Sequence, residues 1–236
     1  MANAQEAARF EMCRSAKLVG FLKSLSSEAL NDFESITSWR SFRSGATLFR
    51  EGQTPHSVLL LLDGAVKLST SSHTGRRLIL QIAKPGEVLG LTATFSGDTY
   101  QITAETLYPS TLALIPRFEF FHFLARHPGA YRSVARELSL ECNLACTRLR
   151  TIGLASSVRA KLARLLLEWS ASGRPMESGI QLHLSLTHGE IGECIGTSRE
   201  TVTRTLNTFR RRRIVHLRGS ILTILDFEAL EECALS

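Results

Sequence analysis

The 236-residue chain has no long apolar run. Its longest, Val58–Leu62, is five residues, against the roughly 20 needed to cross a bilayer. The opening MANAQEAARFEMCR carries acids and no apolar core, so a secretory signal is not expected. Cysteine is sparse. The five, at 13, 142, 146, 194 and 233, form no CxxC pair and leave an odd one. That argues against a disulfide scaffold or four-cysteine zinc site and for a reducing cytoplasm. No metal ligand set is expected. Positive charge is missing from one stretch: no Arg or Lys lies from Leu91 to Ser110. Otherwise 44% hydrophobic and 21% charged residues are ordinary globular composition, excluding disordered, collagen-like and coiled-coil chains. The length suggests one or two domains.

What is present is arginine, in one place. Net charge is +6, and residues 195–220 alone hold Arg199, Arg204, Arg210, Arg211, Arg212, Arg213 and Arg218 against Glu200. Guanidinium forks match phosphate and guanine edges better than lysine does. Upstream, glycines at 45, 52, 64, 75, 86 and 90 punctuate short apolar or alternating segments. Strands are expected at Trp39–Arg43, Thr47–Phe49, Ser57–Leu62, Ala65–Ser71, Arg76–Ile82 and Thr111–Ile115, forming a closed antiparallel roll. A helical lead-in is expected over Ala2–Ser35.

After HisProGly at 127–129 the periodicity changes. Tyr131, Ala135, Leu138, Cys142, Ala145, Leu149 and Ile152 are spaced four and three apart, a heptad seam. So narrow a stripe favours a parallel helix pair, hence a homodimer, over an intrachain contact. Cys142 would then face its copy; plain packing is the favoured role and a redox crosslink the alternative. Gly153 interrupts the helix, with a hinge expected near Thr151–Ser156. A capped helix follows over Val158–Trp169, then a loop at SerGlyArgPro 172–175.

Residues 188–206, HGEIGECIGTSRETVTRTL, describe two helices joined by a tight turn. Gly192 suits a close helix crossing and Gly196 a left-handed helix stop. Ile191, Ile195 and Val202 fill the angle between the helices, and Thr197-x-x-Glu200 is a candidate capping box. On the second helix Arg199, Glu200, Thr203, Arg204 and Asn207 share a face. Arg199, Glu200, Thr203 and Arg204 are the candidate base readers: arginine binds guanine with two hydrogen bonds and glutamate accepts from cytosine. The bland alternative is a Glu200–Arg204 ion pair on a wet helix. Thr187, Ser198, Thr201, Asn207, Arg210, Arg211, Arg212, Arg213 and Arg218 are the candidate phosphate contacts. Ile214–Leu217 and Ile221–Ile224 around ArgGlySer 218–220 predict a wing hairpin.

On these residues the chain resembles the CRP/FNR family of bacterial transcription regulators, most closely at IGxxxGxSRETVxR, Ile191–Arg204. The resemblance implies an α+β fold: an N-terminal antiparallel β-roll of cyclic-nucleotide-binding type over 1–127, a long dimerisation helix over 128–152, and a winged helix-turn-helix over 153–236. It also implies that Arg199, Glu200 and Arg204 read a TGTGA-like half-site, two of them in a palindrome. Double-stranded DNA and a second copy are the expected partners, RNA polymerase a further candidate. The family's effector pocket would fall at Leu89, Gly90, Leu91, Tyr100 and Gln101. There the cyclic-AMP receptor protein has a ribose-binding glutamate and an Arg-Ser phosphate pair, and this chain has Leu91 and Tyr100–Gln101. A buried phosphate without a cation is poorly compensated. The signal is therefore expected to be an unidentified small molecule other than cyclic AMP. An iron–sulfur cluster of the FNR kind is not expected with Cys13 alone near the start; a haem sensor stays open, with His73 read as an exposed turn histidine, and no cofactor is expected. Two other classes stand as alternatives. A cupin-like enzyme is opposed by the isolation of His56 and His73, and a ligand-binding module without DNA by the arginines at 199–213.

Overall fold

The computed structural model describes residues 20–154 and 157–235. They fall into two compact units, one up to Ser72 with Leu80–Asn143, the other His73–Ile79 with Leu144 onward. Of the helical lead-in, positions 2–19, Cys13 and Leu18 among them, lie outside the described residues. From Gly20 it is two pieces rather than one helix. A 3-10 turn, Gly20–Ser24, precedes α1, Ser27–Ser35, which starts afresh because Ser26 caps the Ala29 amide.

Residues 38–116 form a roll of two four-stranded antiparallel sheets. One runs in the order β1 (Ser38–Phe42), β8 (Ser110–Pro116), β3 (Ser57–Asp63), β6 (Val88–Leu89). The other runs β2 (Thr47–Phe49), β7 (Thr103–Thr106), β4 (Val66–Ser71), β5 (Arg77–Ala83). The apolar run of β3 is covered on both sides. Val58, Leu60 and Leu62 pack with Phe21, Phe33, Phe120, Phe123 and Val134. Leu59 and Leu61, pointing the other way, pack with Phe49, Val66, Leu68, Tyr100 and Leu112. A strand buried on both faces has no reason to alternate, which is why it reads as unbroken leucine.

Four elements of the first unit depart from the sequence expectation. β6 and β7 are too short to carry a period, and α2 (Leu91–Ser96) occupies a single short turn region. No element is expected between Pro116 and His127, yet α3, Arg117–Arg126, forms there. Its phenylalanines are mediocre helix formers; burial of Phe120, Phe123 and Leu124 decides the outcome.

The long helix α4, Ala130–Leu149, runs into a π-type turn, Arg150–Leu154, that contains Gly153. In the second unit α5 (Val158–Ser170) starts at Ser157, whose hydroxyl accepts from the Ala160 amide at 3.1 Å. The expected loop at 172–175 is partly strand: β9, Arg174–Met176, pairs with β10, Gly179–His183. Pro175 is tolerated because β9 is an edge strand of the sheet β11-β12-β10-β9. Helices α6 (His188–Ile195) and α7 (Arg199–Arg211) precede the hairpin of β11 (Val215–Arg218) and β12 (Ile221–Ile224), and α8 (Phe227–Leu235) closes the unit.

Candidate nucleic-acid interface

Helices α6 and α7 meet through backbone as much as through side chains. A Cβ on Gly192 would lie 2.7 Å from the Thr197 carbonyl oxygen, so no larger residue permits this crossing. Gly196 ends α6 in the left-handed conformation, with φ of 69°. Ile191, Ile195 and Val202 are fully buried in the angle, as their spacing predicts. The capping box, however, belongs to α6 rather than α7. Thr187 Oγ1 accepts from the Glu190 amide at 3.2 Å, and Glu190 Oε2 accepts from the Thr187 amide at 3.0 Å. For α7 the cap is Ser198, one residue later than the expected Thr197, because its hydroxyl reaches the Thr201 amide.

Helix α7 is sharply two-faced. Val202, Leu206 and Phe209 are buried. The opposite face lines an open recess with Arg199, Glu200, Thr203, Arg204, Asn207, Arg210 and Arg211. All four expected base readers are therefore together, along with three expected phosphate residues, Asn207, Arg210 and Arg211. Glu200 does not pair with Arg204. Hydrogen bonds from its own amide and from the Ser198 hydroxyl hold its carboxyl below the ordinary carboxylate range. Arg204 instead points Nη2 at Thr201 Oγ1, 3.5 Å away. Both charged heads stay exposed on the recess.

The four consecutive arginines do not act as one block. Arg210 and Arg211 line the recess; Arg212 is the C-cap of α7, and Arg213 follows in the left-handed region at φ 57°. Ile214 N donates to Phe209 O at 3.0 Å across it, a Schellman closure normally built on glycine. Arg218 ends β11 beside Gly219 at the hairpin turn, and all three arginines are exposed. Thr187, Ser198 and Thr201 sit at helix starts, where their hydroxyls already serve the caps.

A residue that sequence spacing does not reveal also borders this face. His188, first in α6, places Nδ1 2.9 Å from Thr203 Oγ1. The two are fifteen residues apart on different helices, so no periodic rule links them. Thr203 Oγ1 also lies 2.9 Å from the carbonyl oxygen of Arg199.

The expected effector positions are differently placed. Leu89, Leu91 and Tyr100 are buried in the roll, while Gln101 is exposed and turns its amide to the Thr99 carbonyl. The Tyr100 ring stacks on Phe49 with centroids 3.9 Å apart, lies against Gly90, and donates its hydroxyl to the Ser57 carbonyl at 3.1 Å. Burial pushes its phenol above the ordinary tyrosine range. Lys67 is a buried cation, but it alternates with the core residues Val66 and Leu68 on β4 and pairs with Glu105 at 3.3 Å.

Along α4 the two sides differ. Val134 and Glu137 are buried, and Ser133 shares a hydrogen bond with Ser24. Of the seam residues, Tyr131, Ala135, Cys142, Ala145 and Leu149 are exposed, Leu149 by 72%, and Leu138 and Ile152 are half-buried. Cys142 and Cys146 are exposed thiols; Cys194 is buried, and desolvation pushes its thiol up to about 12. Near the end of α4, Arg148 forms a two-pronged pair with Glu168 of α5, both contacts 3.1 Å.

Among the described residues no helix is long and apolar enough to cross a membrane. Residues 39–127 match the cyclic nucleotide-binding domain family, and residues 160–233 the Crp-like helix-turn-helix domain family. The chain is 26% identical over 215 residues to the transcriptional activator protein anr of Pseudomonas aeruginosa, covering 90% of this chain and 86% of that one. It is 26% identical over 190 residues to a CRP-like cAMP-activated global transcriptional regulator of Mycobacterium tuberculosis, covering 80% and 84%. A solved CRP/FNR-family transcriptional regulator from Thermus thermophilus superposes with a TM-score of 0.67 at 25% identity, covering 84% and 99%. These relatives are transcription regulators rather than enzymes. With both halves matched in order, a roll of nucleotide-binding type and a DNA-binding helix-turn-helix, the chain belongs to the CRP/FNR family of transcription regulators.

Proposed function

We propose that the chain is a homodimeric, sequence-specific regulator that reads a TGTGA-like palindrome through Arg199, Glu200 and Arg204, with Thr203 beside them. The observation that carries this is the recess on α7, where these groups stand together opposite a fully buried face. In a major groove the arginines would meet guanine O6 and N7 and Glu200 a cytosine amino group. Thr187, Ser198, Thr201, Asn207, Arg210–Arg213 and Arg218 would hold phosphates and set register without reading sequence. The dimer would form along Tyr131, Ala135, Leu138, Cys142, Ala145, Leu149 and Ile152, and the exposure of Tyr131, Ala135, Cys142, Ala145 and Leu149 in the single chain supports that reading. On this reading the sensor roll spans 1–127, the dimerisation helix 128–152 and the DNA-binding domain 153–236, in a cytoplasmic protein for which RNA polymerase is a further partner.

The roll would respond to a small molecule other than cyclic AMP. With Leu89, Leu91 and Tyr100 packed in the core and no cation from 91 to 110, a cyclic phosphate would lose its water without gaining a partner. Any effector must favour one arrangement of the protein over another.

The test is fluorescence anisotropy on a TGTGA-type palindrome and a scrambled duplex across a salt series. Tight binding of the palindrome that weakens steeply with salt is expected. Equal affinity for both duplexes overturns the site. Sedimentation in reducing buffer checks the dimer, and Leu149→Arg should yield monomers. A rise in melting temperature with cyclic AMP would overturn the effector assignment.

A further inference from the structure

The His188–Thr203 contact has a definite polarity. The Thr203 hydroxyl owns one proton, and the Arg199 carbonyl oxygen at 2.9 Å can only accept it. With that proton committed, the contact to His188 at 2.9 Å requires Nδ1–H to donate to Oγ1. Thr203 thus gives one hydrogen bond to its own helix and receives one from the neighbouring helix. A helical threonine otherwise divides between two side-chain rotamers, one bonding a preceding carbonyl. His188 selects that one. Thr203 lines the recess with Arg199, Glu200 and Arg204, and with its proton committed it has no donor left for a groove, only one acceptor lone pair and its methyl.

We propose that His188 is a positioning residue for base readout: it pins the Thr203 hydroxyl to the α7 backbone, so that Thr203 presents a methyl group and selects thymine through the C5-methyl in the major groove. This rests on the DNA-reading assignment above and adds the residue that decides which part of Thr203 meets the base. Apolar contact is how a protein tells thymine from the other bases without a hydrogen bond. The second rotamer, released when His188 is lost, would offer a hydroxyl, which accepts from or donates to several base edges.

The experiment starts from the duplex that the wild-type protein selects from a randomised pool, with each thymine replaced in turn by deoxyuridine. One symmetric position should lose about fourfold in affinity, the worth of one buried methyl group. Thr203→Val should keep that loss and Thr203→Ser abolish it. His188→Ala should shrink it below about twofold, and His188→Asn, with an amide nitrogen near the place of Nδ1, should restore it. Nitrogen chemical shifts of the wild-type imidazole give an independent readout, with Nδ1 protonated. A selected site with no uracil-sensitive position, an unchanged loss in His188→Ala, or an unprotonated Nδ1 each overturn the proposal while leaving DNA reading intact. Failure to enrich any sequence overturns the DNA-reading assignment, and this inference with it.

Discussion

The roll and the recognition helix use their polar and aromatic residues in opposite ways. In the roll, the side chain at the expected phosphate position is turned inward and consumed by packing: Tyr100 is 5% exposed, stacked on Phe49 and hydrogen-bonded to the Ser57 carbonyl. On α7, Arg199, Glu200, Arg204, Asn207, Arg210 and Arg211 are held out in water. The difference matters because a buried group acts on stability, whereas an exposed charged group acts on a partner. Substitutions in the two places should therefore separate stability from DNA affinity.

The largest effect is expected from Tyr100→Ala, which should cost about 3–5 kcal/mol of unfolding free energy by urea titration. DNA affinity measured where the variant is still folded should stay at the wild-type value; a parallel fall would break the contrast. Arg204→Ala should do the reverse. It should lose about 1–3 kcal/mol of binding and relax preference at one base pair, with stability changed by less than about 0.5 kcal/mol.

Arg213→Gly sharpens the contrast, because one residue bears on both quantities. Relief of left-handed strain, about 1–2 kcal/mol, exceeds the roughly 0.5–1 kcal/mol that glycine costs through the unfolded chain. Slightly higher stability is expected, together with weaker binding on every sequence and a salt slope smaller by about 1 per protomer. The smallest effect is expected from Glu137→Gln. Burial raises the Glu137 carboxyl above its usual 4.5, against the lowering effect of Arg136, and burial raises Glu87 and Glu141 likewise. A raised acid favours the folded state below the unfolded-state value, and the benefit is lost as pH rises through the folded one. The amide should therefore stabilise at pH 7 by less than about 1 kcal/mol, because Arg136 offsets part of the effect of burial, and the gain should vanish toward pH 4. A constant gain across that range would point to packing instead.

Local chemistry made much of this molecule legible. Gly196, the Ile191–Ile195–Val202 wedge and the wing hairpin follow from rules that act within a few residues. The strands Thr47–Phe49 and Ser57–Asp63 were equally readable, since turns and apolar runs mark them. What escaped was set by partners distant in sequence. The α3 phenylalanines are helical because three α3 side chains find a core to enter. Arg174–Met176 is a strand because β10 is there to pair with it. The α7 cap is Ser198 and not Thr197, and only the turn after Gly196 decides which hydroxyl reaches an amide.

The sequence by itself determined that a basic helix-turn-helix follows a glycine-punctuated roll, because charge and period are properties of neighbouring residues. Tertiary structure alone decided how individual side chains are used. It turned Tyr100 into core, divided Arg210–Arg213 between the recess and a strained cap, and placed His188 against Thr203. Those assignments depend on which atoms of remote segments compete for the same proton or the same space. No count of residues along the chain contains that competition.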